Sequence, residues 1–306
     1  MRAIVTGGTG FIGRSLVKRL QRDDWEIKVI TRQKGKVKKI LGEGVEEIVW
    51  SDLGEFPEAD VVFNIAGAIK GKNYEDFRRA NVDFIRNIIE RSEGRVEKIV
   101  HLSSQAAGGP SPDCKPLDES ASSPVSLYGR SKLEGENVVK EFSGDWVILR
   151  PSAVFGPGDM AFLELFRVIK RGFVPWMGDK ILSMVYVEDL TEAMLNSVDK
   201  VSRDVFNISW LEPVNYREFT EKVAEMMGKK APKRLPIPYP VAVVAAFISQ
   251  TFSPDSMFNL DKIREARHKC WIVNSEKAHR AGLLEDTPLD DALRITMDWY
   301  RTNGYI

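Results

Sequence analysis

The sequence predicts an α/β protein, a doubly wound parallel sheet followed by a smaller, mainly helical C-terminal substrate lobe. Three observations predict it. Short runs rich in β-branched residues alternate with helix-length segments through the first two-thirds of the chain. The first run leads directly into a glycine cluster. Beyond Arg150 the strand-helix rhythm breaks down.

Taken in order, "RAIVTG", "EIKVIT", "EEIVW", "DVVFNIAG", "EKIVHLSS" and "DWVILRPS" read as strands. Between them, "FIGRSLVKRLQ" and "YEDFRRANVDFIRNIIERS" read as helices whose apolar faces include Leu16, Leu20, Phe77, Ile85 and Ile88. Such alternation implies a parallel sheet covered on both faces. "RPSAVFGPGD" is a loop punctuated by Pro and Gly, and "MAFLELFRVIKRG" is a helix ending at Gly172. "VYVEDLTEAMLNSV" and "VFNIS" return to the sheet. The expected division is residues 1–155 with 182–210 for a nucleotide-binding domain, and 156–181 with 211–306 for the second lobe. There are no internal repeats.

Composition narrows the function. The 44 basic and 44 acidic residues cancel, which lends no support to nucleic-acid binding. The two cysteines, Cys114 and Cys270, are expected to be ordinary thiols in a reducing compartment, and no Cys/His cluster suggests a metal. "MRAIVTGG" enters a strand at once, leaving no room for a signal peptide, so the expected location is cytoplasmic. "VAVVAAFIS", introduced by Pro236, Pro238 and Pro240, is too short to span a bilayer and reads as a buried or lid helix. No stable membrane insertion is expected.

"TGGTGFIG" supplies Gly7, Gly10 and Gly13 between a strand and a helix, with Phe11 and Ile12 in the opening turn. A bare Gly10 lets backbone approach a pyrophosphate, and Gly13 lets the helix pack closely. The helix N-terminus offers N–H groups to the anion. The second strand ends in "KVITRQKGK", where Thr31 and Arg32 stand in place of the carboxylate that would hold the ribose 2′-OH of NAD. A guanidinium there suits the 2′-phosphate of NADP, so NADP is the preferred cofactor and NAD the alternative. In "WSDLGEF", Asp52 and Leu53 are candidates for the adenine.

"VSLYGRSKLEGE" places Tyr128 and Lys132 at i, i+4 on one helix face. A free phenol near pKa 10 carries protons poorly at neutral pH, and lowering it about three units takes roughly 4 kcal/mol of differential stabilisation. A nearby ammonium is expected to contribute, making Tyr128 a general acid or base for a carbonyl/alcohol pair. Ser104, at the end of the fifth strand, is placed to orient the substrate oxygen.

With these motifs in hand, the chain resembles an extended short-chain dehydrogenase/reductase, the group of NAD-dependent epimerases and dehydratases. The likeness runs over nearly the full length and rests on "TGGTGFIG", "SDL", "NIAG", "YGRSK", "RPSAVFGPGD", "VYVEDL" and "VFNIS". It implies a Rossmann domain and hydride exchange at the nicotinamide. It also implies a Ser104–Tyr128–Lys132 triad whose lysine also binds the nicotinamide ribose. Ala66 and Gly67 match the backbone beside the cofactor, and Pro151 the loop near the nicotinamide amide. Homodimers through a four-helix contact are common in the family.

Departures from the family pattern sort the activities. Dehydratases carry an Asp-Glu pair after the triad Ser/Thr, whereas this chain has Gln105-Ala106. Ala153 stands where sugar-nucleotide epimerases commonly show Asn. "RPSAVFGPGD" and "RLPIPYP" resemble the branch of dihydroflavonol reductases and 3β-hydroxysteroid dehydrogenases. The leading expectation is an NAD(P)-dependent oxidoreductase interconverting a secondary alcohol and a ketone on a small-molecule substrate. A nucleotide-sugar epimerase with retained NAD and a non-catalytic NADP-binding sensor or assembly subunit are the alternatives.

Overall fold

The computed structural model describes residues 1–252 and 259–306. The six expected strands and the returning "VFNIS" form one parallel sheet. They are β1 (Arg2–Thr6), β2 (Glu26–Thr31), β3 (Glu46–Val49), β4 (Ala59–Asn64), β5 (Val96–Leu102), β6 (Asp145–Pro151) and β7 (Asp204–Ile208), in the spatial order β7-β6-β5-β4-β1-β2-β3. The fold class read from the sequence is therefore the one observed. "VYVEDL", also expected to return to this sheet, instead contributes to Met184–Tyr186, which pairs with Ala153–Phe155 in a separate two-stranded sheet.

The period-2 geometry of a strand explains the layers. On β1, Ala3 and Val5 join one core while Ile4 joins the opposite one. Helices α1 (Phe11–Arg22) and α4 (Val187–Lys200) cover the first face with Leu16, Leu20, Leu190 and Met194. Helices α2 (Phe84–Ser92) and α3 (Leu127–Val139) cover the second with Ile85, Ile88, Val138 and Val139. Each such side chain, fully buried, contributes about 1.5–3 kcal/mol.

The segment read as one helix from Tyr74 to Ser92 is interrupted. Tyr74–Arg78 is α-helical, Arg79–Asp83 forms a π turn, and α2 follows. The turn coincides with the closest approach of α3, where a Cβ on Gly135 would lie 2.3 Å from the Asn81 carbonyl. Asn81 is thereby buried and aimed at the end of β4. Such insertions concentrate at functional sites.

The remaining chain packs the helices Met160–Lys170, Tyr216–Met226 and Leu289–Thr302 around an aromatic core. Phe155 and Trp210 meet edge to face at 5.5 Å within it. Several strands of two to four residues, such as Ile181–Leu182 and Cys270–Trp271, also occur here. They are too short for alternation to reveal in a sequence.

Two expectations are corrected here. Cys114 and Cys270 are not free thiols but a disulfide, with Cα atoms 5.2 Å apart. Backbone pairing brings them together: Ser111 N–H donates to the Cys270 carbonyl at 2.9 Å, and Leu117 bridges to Val273. A sequence separation of 156 residues hid that proximity. Helix α5 (Tyr239–Phe252) is not buried either. It turns small Ala242 and Ala246 inward, while Val241, Val244 and Ile248 are 56%, 59% and 51% exposed. No helix among the described residues is long and apolar enough to cross a membrane.

Candidate active site

The strand order reverses between β1 and β4, which opens a crevice at their C-terminal ends. Gly7 lies there with φ +71°, a left-handed conformation that glycine adopts without strain, and a Cβ would sit 2.7 Å from the Ala66 amide nitrogen. Gly13 has even less room, since its Cβ would fall 2.2 Å from the Gly7 carbonyl oxygen and 2.7 Å from Gly8 Cα. Gly10 is different: only the Gly7 oxygen, at 3.2 Å, comes near. One glycine therefore serves packing and the other leaves an open face. Gly10 caps α1 without any side-chain hydrogen bond, and no acidic residue occupies the first turn around Phe11 and Ile12. Arg14 lies close by, bonding the Gly10 and Gly158 carbonyls at 3.3 and 3.4 Å. An uncapped helix end, a bare glycine and a cation fit a dinucleotide pyrophosphate.

Along the edge of the crevice, Thr31 is buried and Arg32 exposed at the end of β2. The loop after it is fixed by Glu47, which accepts from the Gly35 and Val37 N–H groups at 2.5 and 2.8 Å. Asp52 is exposed and accepts from the Ser51 hydroxyl at 2.8 Å, while Leu53 packs on the core beneath. Ala66 N–H donates to Thr6 Oγ1 at 3.1 Å, fixing the loop after β4. A Cβ on Gly67 would lie 2.9 Å from Asn81 Oδ1 and 3.7 Å from Lys132 Nζ. Pro151 ends β6 beside Ile208.

Ser104 lies close enough to Tyr128 to act on its phenol. Burial raises the phenol's pKa, and the charge of Lys262 and the Ser104 hydroxyl oppose that rise. Lys132 is buried in the same helix, but its amine donates to the Leu102 carbonyl at 2.6 Å. Burial pushes that amine down to about 8, against the pull of Glu136. Lys262 holds its ammonium 5.0 Å from the centroid of the phenol ring, while Lys132 faces Gly67 and the end of β5. Its position alone at i+4 did not decide where so long a side chain would point.

Several participants carried no readable signal in the sequence. Glu136, fully buried, receives Ser103 Oγ at 2.5 Å and two nitrogens of Arg150 at 2.6 and 2.7 Å, which locks α3 onto β6. Asn81 accepts from Ala68 N–H at 2.7 Å and donates to Ser131 at 2.8 Å, bracing the loop that carries Gly67. These pairs join residues 13 to 50 apart, so no local pattern announces them. Ser152 Oγ and Gln105 Oε1 are buried without a hydrogen-bond partner among the described residues, as polar atoms awaiting a ligand would be. The described residues contain no cluster of three metal-ligating side chains.

Comparison with known proteins adds a family and a fold. Residues 3–209 match the model of the NAD dependent epimerase/dehydratase family. A ceramide reductase from Caulobacter vibrioides is 31% identical, with 99% of this chain and 95% of that protein aligned. A 4-hydroxy-2-methyl-3-oxo-4-farnesyl-3,4-dihydroquinoline-1-oxide ketoreductase from Stigmatella aurantiaca is 26% identical over 82% of this chain and 80% of its own. Among solved structures, MoeE5 in complex with UDP-glucose and NAD superposes with a TM-score of 0.79. It is 20% identical, with 99% of this chain and 100% of that one covered.

Proposed function

The chain belongs to the NAD dependent epimerase/dehydratase family, and from that premise we propose that it interconverts a ketone and a secondary alcohol on a bulky, largely apolar molecule, using NADP(H). What supports the reading is Ser104 set against the Tyr128 phenol on the helix whose Lys132 faces Gly67 of the glycine-lined crevice. Residues 1–155 and 182–210 would hold the cofactor, and 156–181 with 211–306 the substrate.

A bound nicotinamide supplies or accepts the hydride. Within the chain, Ser104 Oγ and Tyr128 Oη converge on one carbonyl oxygen, with the serine orienting it and the tyrosine giving or taking the proton. Lys132, its amine softened by burial and set beside Gly67, would hold the ribose hydroxyls, and Ser152 and Pro151 the carboxamide end. Gly7, Gly10, Gly13 and the first N–H groups of α1 would take the pyrophosphate. Asp52 and Leu53 would take the adenine, and exposed Arg32 the 2′-phosphate.

Support for the substrate class comes from the relatives, whose names specify a ceramide reductase and a ketoreductase for a farnesylated quinoline oxide. Cytoplasm remains the proposed compartment, although the Cys114–Cys270 bond is of a kind uncommon there.

The test is turnover of apolar ketones, including a long-chain N-acyl amino ketone and a ketosteroid, with NADPH and with NADH. Tyr128→Phe is expected to bind cofactor normally and to lose about 10²–10⁴-fold in hydride transfer. Full turnover by that variant overturns the reading, and tightly retained NAD in the purified protein points to an epimerase instead. Arg32→Asp is expected to weaken NADPH by about 10- to 100-fold while leaving NADH nearly unchanged, as loss of charge-assisted hydrogen bonds predicts. Equal losses for both cofactors end the NADP assignment.

A further inference from the structure

The short helix α6 (Leu260–Ala266) grips the first turn of the Tyr128 helix residue by residue. Asp261, buried, accepts from the N–H groups of Leu127 and Tyr128 at 2.7 and 3.0 Å. Glu265 accepts from the Ser126 hydroxyl at 2.7 Å, and Ser126 Oγ in turn accepts from Gly129 N–H at 3.0 Å. Between these carboxylates, Lys262 pairs with Glu265 at 2.8 Å and holds its ammonium 5.0 Å from the centroid of the Tyr128 ring.

From this arrangement we infer that Lys262 is a positioning residue for the proton step. Its ammonium, steadied over the phenol by Glu265, favours the phenolate, so the ionisation of Tyr128 depends on α6 being docked. The inference rests on Tyr128 being the acid/base of the reaction.

Other groups facing the phenol do not substitute for it. Ser104 acts on the phenol but carries no charge, and Phe77 presents a ring at 6.2 Å. Glu265 works in the opposite direction, its negative charge raising the phenol. Asp261 is engaged by backbone N–H groups, and Lys132 points its ammonium to the Leu102 carbonyl at the end of β5. That leaves Lys262 as the facing cation on the ring side. Its charge is secure: two carboxylates and the phenol raise its pKa in spite of burial. A fixed positive charge beside a partly desolvated phenol shifts its ionisation downward, and the same charge over the ring is attracted by the π face.

The test needs no substrate. Protein labelled with 3-fluorotyrosine is titrated by ¹⁹F NMR, and the Tyr128 resonance is the one of seven tyrosines that Tyr128→Phe removes. Lys262→Met is expected to raise the Tyr128 pKa by about one unit and Lys262→Arg to restore it. Where a ketone is turned over, the pH profile of kcat/KM moves with the same sign. An unchanged Tyr128 pKa in folded Lys262→Met overturns the inference even if activity falls. Should Lys262→Met not fold, an unchanged Tyr128 pKa in folded Lys262→Gln does the same. Full turnover by Tyr128→Phe would instead remove the premise while leaving the titration result standing.

Discussion

The glycine loop Gly7–Gly13 and helix α6 are built on opposite principles. In the loop, function depends on side chains that are missing. Backbone N–H groups and bare Cα atoms form the surface, and the tolerances are a few tenths of an ångström around Gly13. At α6 the work falls to charged side chains. Asp261, Lys262 and Glu265 reach across to Ser126, Leu127 and Tyr128. On the proposed reading the loop would fix where a nucleotide lies, and α6 would adjust the group that moves a proton. Precision comes from packing in the first case and from electrostatics in the second.

Adding a methyl group to the loop gives the larger effect and separates its glycines. Gly13→Ala forces a Cβ against backbone on two sides, at 2.2 and 2.7 Å, and neither neighbour is a flexible side chain. We expect a loss of about 3 kcal/mol in urea unfolding, the upper end of ordinary overpacking, and no detectable nucleotide binding. Gly10→Ala meets only one oxygen at 3.2 Å, so its stability should fall by less than about 1 kcal/mol while cofactor affinity drops. Equal destabilisation by the two substitutions would show that the loop is not divided into a packing glycine and an open one.

The same contrast explains what the sequence made legible. Backbone-built sites need glycine at fixed spacing between a strand and a helix, and that requirement is written locally in "TGGTGFIG". The sheet was legible for a similar reason. Strands buried on both faces must be apolar through their middle, as "VVF" and "WVIL" are. Ser104 and Tyr128 could be placed because the end of a parallel strand and the face of a following helix meet at a predictable edge. Nothing local marks Lys262, which lies 134 residues from Tyr128 on a seven-residue helix. The Cys114–Cys270 bond and the partner of Lys132 were hidden likewise. Each depends on which distant backbone arrives alongside, and a single sequence does not state that.

Asp261 gives the smaller effect and the sharper test of the α6 side of the comparison. Its two carboxylate oxygens satisfy two of the N–H groups that the first turn of α3 leaves without helical partners. Asp261→Asn keeps the size but replaces one charged acceptor with a donor, so one of the two bonds is lost and the other weakened. By analogy with helix-capping substitutions, the expected loss is about 1 kcal/mol. Because Ser126 still caps Gly129, the helix itself should remain formed. The informative quantity is therefore where the loss appears. If α6 acts by electrostatics on the first turn of α3, hydrogen exchange should quicken at Leu127 and Tyr128 while the amides of the glycine loop keep their protection. Loosening that spreads to Gly7–Gly13 would mean that the two regions form one cooperative unit, and the contrast between packing and electrostatics would not survive.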